Sequence, residues 1–398
     1  MKGFLICTAF LLWGGCQTMP AGYNPSFETF EIRKLTESGL VNVEIKFKDT
    51  QIWPEVEFYP AQAFNFNVSK LKIGIIGDTG CRLKESSSKK SYQNCSNGEW
   101  PYAAIIDKLS QETFDFAIHT GDYHYREQCT DPRLCSGYTK SIGYTWAAWW
   151  DDFFGPTQAL FKKSPVLLVR GNHEDCQRAY SGWNILSPLN KDFKSPCVAV
   201  EPYQWIDLGD IVFINFDDSA YEDRKPLKPS EQQTHQDALV NLAKRIDETK
   251  GLKEIWFLAH KPVYAYVPSK TEPNVVDTIT PNLQQSMQAA GLLDKIDYIL
   301  SGHIHNQQLV LDNKNLTQII VGHSGSALDP FGRKIKDAQL ISTTDIKDHF
   351  GYAVFERQGF KKWLFKFKNQ EGQLDLSCKV NKKAITCTEP KAPKKLKI

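Results

Sequence analysis

Short apolar runs set the rhythm of this chain, and five of them break off into a polar cluster. Residues 71–76 lead to Gly77-Asp78-Thr79-Gly80, and residues 116–118 lead to Gly121-Asp122-Tyr123-His124-Tyr125. Residues 166–169 lead to Gly171-Asn172-His173-Glu174, residues 255–259 to His260, and residues 298–300 to Gly302-His303-Ile304-His305. Apolar runs without polar alternation predict strands buried on both faces, as in a parallel sheet. Loops at the carboxyl ends of such strands are where open α/β sheets collect ligands. The pattern therefore predicts Asp, Asn, Tyr and His side chains gathered at one edge.

Between these runs the period changes. Residues 101–112 place Ala104, Ile105 and Leu109 on one face of a helix that begins at Pro101, and residues 231–250 do the same with Leu239, Leu242 and Ile246 before Gly251. Trp146, Trp149, Trp150 and Phe153 recur at helical spacing, which predicts a buried face rather than a platform for stacked bases. Residues 41–47 alternate with a period of two, and residues 203–214 read as a hairpin that ends in the polar turn Asp217-Asp218-Ser219. Further strands are predicted at 316–321, 351–356 and 362–368, followed by a small loop between Cys378 and Cys387. Residues 82–100, rich in Ser and Lys, read as a surface loop with Lys84, Lys89 and Lys90 solvated. No internal repeat is found, and strands alternating with helices predict the α/β class.

Composition narrows the function. With 41% apolar and 24% charged residues in 398, the chain is an ordinary globular protein rather than a disordered or multiply membrane-spanning one. Its 48 basic and 46 acidic residues leave a net charge of +2, too little to hold nucleic acid by field alone. The chain has no Gly-x-Ser-x-Gly elbow, no Walker-type loop and no Gly-x-Gly-x-x-Gly after a strand. Near the amino terminus, Lys2, an apolar run at 4–13 and small residues before Cys16 read as a secretory signal, too short for a permanent anchor. Setting aside Cys7 and Cys16 leaves eight cysteines, which allow 105 pairings. Their close spacing favours 81 with 95, 129 with 135, 176 with 197 and 378 with 387. A thiolate metal site is the weaker reading, because no Cys-x-x-Cys occurs and an exported protein meets oxidising conditions.

Taken in order, the five clusters resemble the calcineurin-like metallophosphoesterases, whose pattern is Asp, Gly-Asp, Gly-Asn-His-Glu or Asp, His, then Gly-His-x-His. The resemblance spans most of residues 70–360. It implies an α/β fold with two central mixed sheets flanked by helices and a pair of metal ions at the sheet edge. Most members carry a His two residues after the first Asp, where this chain has Gly80. Purple acid phosphatases instead carry a Tyr three residues after the second Asp, and Tyr125 stands there. The chain thus resembles the purple acid phosphatase branch.

That resemblance implies Asp78, Asp122, Tyr125 and His305 as ligands of a first metal, and Asp122, Asn172, His260 and His303 as ligands of a second. Two carboxylates and a phenolate are hard anionic donors suited to iron(III), and the other set suits zinc, iron or manganese in the divalent state. A free phenol has a pKa of ~10, so only a strong Lewis acid would ionise Tyr125 at neutral pH. The implied reaction is hydrolysis of phosphate monoesters by metal-activated water, with Asp122 and Asn172 in the centre and His173 beside it as acid or phosphoryl partner. The same motifs would serve a phosphodiester or a nucleotide pyrophosphate. A non-catalytic envelope binding protein is a third reading, disfavoured because no ligand is lost.

The chain departs from the family beyond His260, where a second histidine is usual and none occurs; Tyr264, Tyr266 and Lys270 are the candidates to replace it. His235, His323 and His349 match no motif. Residues 11–16 resemble a bacterial lipobox, with Trp13 where Leu is usual, which implies acylation of Cys16; Gln17 then favours the outer membrane. The expected organisation is a signal at 1–15, a linker and short β-rich segment at 16–69, a catalytic domain at 70–387 and a basic tail at 388–398. Expected partners are a small phosphoester and, through Cys16 alone, a membrane, but no nucleic acid.

Overall fold

A computed structural model describes residues 29–390 apart from 47–52, 86–89, 97, 136, 139–140, 190–194, 224–226, 266, 269–275, 278–280, 313–315, 330–339, 344–348 and 382–383. The signal segment with Cys16, along with Lys89, Tyr266, Lys270 and the end of the tail, lies outside the described residues. Two large mixed sheets face each other. The first runs, edge to edge, through Ala384–Thr388, Leu374–Asn381, Lys362–Asn369, Gly351–Gly359, Lys72–Ile76, Phe116–His119, Val166–Leu168, Thr29–Thr36, Gly39–Lys46 and Glu55–Phe58. The second runs through Leu340–Thr343, Gln307–Asp312, Thr317–Val321, Tyr298–Ser301, Glu254–Leu258, Ile211–Asn215 and Gln204–Asp207. The middle strands are parallel in both.

Alternation explains why these strands need apolar residues at every position. Ile211 and Phe213 join Trp256, Leu258, Ile73 and Ile75 in the core between the sheets. Val212, Ile214, Ile255 and Phe257 point the other way, onto the helices Pro229–Glu248 and Pro281–Ala289. On the far side of the first sheet, Ile76 and Leu168 pack with Ile105 and Leu109 of the helix Tyr102–Gln111 and with the tryptophans at 146, 149 and 183. The result is helix, sheet, sheet, helix, the architecture expected.

The structure corrects several local readings. The long helix spans Pro229–Glu248 rather than 231–250, because Pro229 takes the first turn and the Glu231 carboxylate accepts the Lys228 backbone N–H at 3.1 Å. The segment 82–100 is more than a surface loop: it forms the short hairpin Leu83–Glu85 with Lys90–Tyr92, and it buries Cys81, Leu83, Gln93, Cys95 and Trp100. The Cys378 to Cys387 loop is a disulfide across two paired strands, in which the two cysteines stand opposite each other. The other disulfides join Cys81 to Cys95, Cys129 to Cys135 and Cys176 to Cys197. The strands at 29–36, 39–46 and 55–58 extend the first sheet itself, entering it through Lys34 beside Val166.

The aromatic helix also differs from its expected form. It runs as Trp146–Trp149, then a wide π turn at Trp150–Phe154, then Gly155–Lys163. The wide turn sits where the helix presents Asp152, fully buried, to the loops after Lys72–Ile76 and Phe116–His119.

Candidate metal centre

All five polar clusters meet at the carboxyl ends of the parallel strands, along one edge of the two facing sheets. Three of the residues concerned, Asp78, Asp122 and His303, have positive φ angles of 53°, 56° and 70°. The chain turns back sharply at each strand end and aims the side chain inward. Left-handed backbone at a non-glycine residue is costly and tends to mark functional positions.

Asp122 is the centre. Its Oδ1 accepts the His173 backbone N–H at 2.9 Å, which leaves Oδ2 to face both groups of donors. On one side Oδ2 lies 2.6 Å from the Tyr125 hydroxyl, which is also 3.2 Å from Asp78 Oδ1 and 2.7 Å from His305 Nε2. On the other side Oδ2 lies 3.2 Å from His260 Nε2, which is 3.2 Å from Asn172 Oδ1 and 3.3 Å from His303 Nδ1. The seven expected ligands, Asp78, Asp122, Tyr125, Asn172, His260, His303 and His305, thus form two groups that share one carboxylate oxygen. The carboxylates and imidazoles among them fall into the two metal-competent triads Asp78, Asp122, His305 and Asp122, His260, His303.

The hydrogen bonds behind the imidazoles determine which nitrogen faces inward. His260 Nδ1 lies 2.8 Å from the Thr120 carbonyl and His305 Nδ1 lies 2.8 Å from the Ala327 carbonyl. A carbonyl only accepts, so each Nδ1 carries the proton and each Nε2 offers a lone pair. His303 is reversed, with Nε2 at 3.0 Å from Asp223 Oδ2 and Nδ1 facing His260. With His260 neutral, Asp122 Oδ2, Asn172 Oδ1, His260 Nε2 and His303 Nδ1 are then four acceptors facing one another. A metal ion, or a proton on His260, relieves such an array, and these donors fit a metal ion. Burial opposes charge on His260, yet Asp122 and Asp78 raise it to about 10, so the carboxylates call for a positive partner here. Burial, reinforced by Asp122 and Asp78, also pushes the Tyr125 phenol well above its ordinary range.

Gly80 and Tyr125 are linked through Asp152. One Asp152 oxygen accepts the backbone N–H of Tyr125 at 2.6 Å and of Arg126 at 3.0 Å; the other accepts the Cys81 N–H at 2.9 Å and Arg126 Nε at 2.8 Å. A Cβ at Gly80 would come within 2.7 Å of Asp152 Oδ2 and of the Tyr125 nitrogen, so no side chain fits at 80 while this bracket holds Tyr125 in place. Gly171 is equally constrained, since a Cβ there would stand 2.2 Å from Asp122 Oδ1.

The pattern described as calcineurin-like phosphoesterase matches residues 71–307. The chain belongs to that family. No curated protein matches it by sequence. Among solved structures, PhoD is 11% identical with a TM-score of 0.55, over 90% of this chain and 78% of that one. GAP50, the anchor in the inner membrane complex of Plasmodium, is 15% identical with a TM-score of 0.50, over 79% and 89%. The purple acid phosphatase PPD1 of yellow lupin, Lupinus luteus, is 20% identical with a TM-score of 0.48 over 84% of this chain; the chain spans 58% of that protein's length. At these identities the likeness is one of fold. A calcineurin-like phosphoesterase acts on phosphoesters with the help of metals, and the two donor groups are where this chain would hold them.

Several residues that complete the site carry no motif. Asp152 is one; an acidic residue inside the run Trp149-Trp150-Asp151-Asp152-Phe153-Phe154 was the available signal, because a buried carboxylate must find partners. Glu127 Oε1 lies 2.9 Å from His173 Nδ1, poorly aligned for a hydrogen bond, and 2.9 Å from Arg178 Nη2. Arg178 also donates to the Asn172 carbonyl at 2.8 Å. Arg82 reaches His305, and Asp223 holds His303 while Lys261 Nζ stands 3.1 Å from its other oxygen. Of the unassigned histidines, His235 stacks on Tyr221 and His349 pairs with Asp375, both away from the centre. His323 is buried beside the carboxyl-terminal hairpin, its carbonyl accepting the Gly351 N–H at 3.0 Å. Tyr264 is half-buried and its backbone N–H is taken by Gln318.

Proposed function

We propose that this chain is a two-metal phosphatase of the purple acid phosphatase type that hydrolyses phosphate monoesters. The observation that carries the reading is the position of the Tyr125 hydroxyl, within 3.2 Å of Asp78, Asp122 and His305 at once, together with the closed space at Gly80. Asp78, Asp122, Tyr125 and His305 would hold iron(III), and Asp122, Asn172, His260 and His303 a divalent zinc, iron or manganese ion. When bound, the two ions supply Lewis-acid polarisation of the phosphoryl group and an acidified water. The residues do the rest. Asp122 offsets charge in both groups through one oxygen, and Asn172 adds a neutral donor whose backbone carbonyl is fixed by Arg178. His173, its ring tilted and centred 4.0 Å from the Tyr125 ring with Nε2 3.8 Å from Asp122 Oδ2, is placed to hydrogen-bond a phosphoryl oxygen or protonate the leaving group. Its Nδ1 lies toward Glu127 and its Nε2 stands 3.2 Å from Arg178 Nη2, which can only donate; burial lowers its pKa to about 4, so a proton on Nε2 would have to displace Arg178.

We further propose that the protein is exported. Four disulfides are expected of an oxidising compartment. We therefore place the protein in the cell envelope, held by a lipid on Cys16, which the mass of the mature amino terminus would test.

The deciding experiment combines metal analysis, absorption and turnover. Iron-loaded, oxidised protein should absorb in the visible through charge transfer from the Tyr125 phenolate, and should hydrolyse a monoester faster than a diester. Tyr125→Phe removes only the phenolic oxygen and should bleach the band while the protein stays folded. A colourless iron-loaded wild type, or a band that survives in Tyr125→Phe, would favour a divalent-metal phosphoesterase instead.

A further inference from the structure

Arg82 stands against the first donor group without an acceptor suited to it. Its Nη2 lies 2.6 Å from His305 Nδ1 and 3.2 Å from Nε2, and its guanidinium sits 5.6 Å from the centre of the Tyr125 ring. Its Nε is buried with no hydrogen-bond partner among the described residues. The ring proton of His305 is committed to the Ala327 carbonyl, and its Nε2 lone pair to the donor group. An imidazole used in this way has nothing left to accept from a guanidinium. Arginine brings five N–H donors and a charge it cannot lose, and an anion is the partner that would satisfy both the buried Nε and the charge.

The loop holds Arg82 there firmly. Its backbone N–H donates to Gln93 Oε1 at 3.1 Å and its carbonyl accepts the Gln93 N–H at 2.8 Å. The same Gln93 oxygen accepts the Ala327 N–H at 3.1 Å, which ties the loop to the turn that fixes His305. Cys81, the preceding residue, is held by its disulfide to Cys95 and by Asp152. The surroundings are positive as well. Lys84 is half-buried with Nζ 3.9 Å from Glu127, and Arg178 lies across Glu127 beside His173. Three cations thus share this side of the site with the carboxylates of Glu127 and of Asp329, which accepts the His305 backbone N–H at 3.0 Å, whereas the side next to His303 carries Asp223 paired with Lys261.

We propose that Arg82 is a substrate-binding residue that grips a non-bridging oxygen of the phosphoryl group and so favours dianionic phosphate monoesters over monoanionic diesters. The proposal rests on the two-metal reading above and deepens it, naming the group that would read the charge of the substrate. A monoester brings one more negative charge and one more non-bridging oxygen than a diester, so it loses more when the guanidinium is removed.

The test uses metal-loaded wild type, Arg82→Gln and Arg82→Lys, with inorganic phosphate as the probe. Phosphate affinity is measured by calorimetry, metal content and melting temperature on the same samples, and kcat/KM with para-nitrophenyl phosphate and its bis-ester. A charge-assisted hydrogen bond of this kind is worth about 10- to 100-fold in affinity. Arg82→Gln should weaken phosphate binding by that factor with metal content unchanged, and the monoester-to-diester ratio should fall about tenfold. Arg82→Lys should recover part of the loss, because it restores charge without the fork. Phosphate affinity within about twofold of wild type in Arg82→Gln overturns the proposal, as does loss of metal or equal slowing of both esters. If Arg82→Gln loses phosphate while the wild type turns over neither ester, Arg82 keeps its assignment and the phosphatase reading fails; if the wild type is active and phosphate affinity is untouched, the reverse holds.

Discussion

Replacing Asp152 by Asn tests whether the π turn of the aromatic helix anchors the site. Asp152 is fully buried and accepts from three backbone N–H groups and from Arg126 Nε, whose side chain is 4% exposed. An asparagine keeps one acceptor oxygen and turns an amide NH₂ toward the other N–H groups, so one oxygen's pair of donors is left without a partner. Each stranded donor costs about 1–3 kcal/mol, and breaking a buried ion pair from one side costs about 3–5 kcal/mol. These penalties overlap, since Arg126 belongs to both, and a total of about 3–5 kcal/mol is expected. At ~2.1 cal/mol/K of unfolding entropy per residue, a chain of 398 residues shifts by about 1.2 °C per kcal/mol, so the melting temperature should drop by about 4–6 °C. Calorimetry on both proteins measures it. Arg126 also lies 5.2 Å from the Trp100 ring and 5.3 Å from that of Tyr138, so Arg126→Met retains much of the packing. The double substitution should therefore be no less stable than Asp152→Asn alone, because no guanidinium is left buried without its partner. A single mutant melting within about 2 °C of wild type, or a double mutant in which the two losses simply add, would refute the reasoning.

Three further outcomes are expected. Asp122→Asn should stay folded, since asparagine tolerates left-handed backbone, but should lose metal and at least ~10² in turnover; wild-type rates in a metal-replete mutant would count against the shared carboxylate. Metal removal should lower the melting temperature, because Asp78, Asp122 and Asn172 come from one sheet and His260, His303 and His305 from the other; saturation at ~1,000 times Kd is worth about 4 kcal/mol, and chelated protein that melts unchanged would argue that nothing binds. Lys34 is buried, which lowers its pKa to about 7 against the pull of Glu201, while an unfolded lysine titrates at 10.5. Between those values the unfolded chain holds the extra proton, so stability should rise with pH through this window and the penalty should be full below it, an upper bound of about 5 kcal/mol. Lys34→Met should flatten that rise in denaturant midpoints across the window; an unchanged pH profile would refute it.

The strand ends were legible because a run such as Phe116 to Ile118 must bury both faces, and its abrupt stop at Gly121-Asp122 leaves only a loop for the polar residues. The cysteine partners were legible for a similar local reason, each pair closing a short loop. Asp152 was not, since helical spacing of tryptophans describes a buried face and does not reveal which polar residue that face carries inward. Arg82 was hidden by composition: it heads a Ser- and Lys-rich stretch that reads as solvated until the Cys81 disulfide and Gln93 fold it against His305. The strands before residue 59 alternate clearly, yet nothing local indicates that they join the first sheet through Lys34 and Val166. Asp223 follows no motif, and its pairing with His303 depends on the long return from Asn215 to His260.

The left-handed backbone at Asp78, Asp122 and His303 bears on how this fold would drift. Each such residue forgoes about 1–2 kcal/mol that a glycine would not, so the three together withhold an appreciable share of the stability typical of a domain. A descendant released from its chemistry would become sturdier by accepting glycine at any of the three, and random change would find that route early. Persistence of two aspartates and a histidine at these angles therefore serves as a running record of use: in any relation of this chain, strain retained at the strand ends separates an enzyme still under selection from a scaffold that has retired from catalysis.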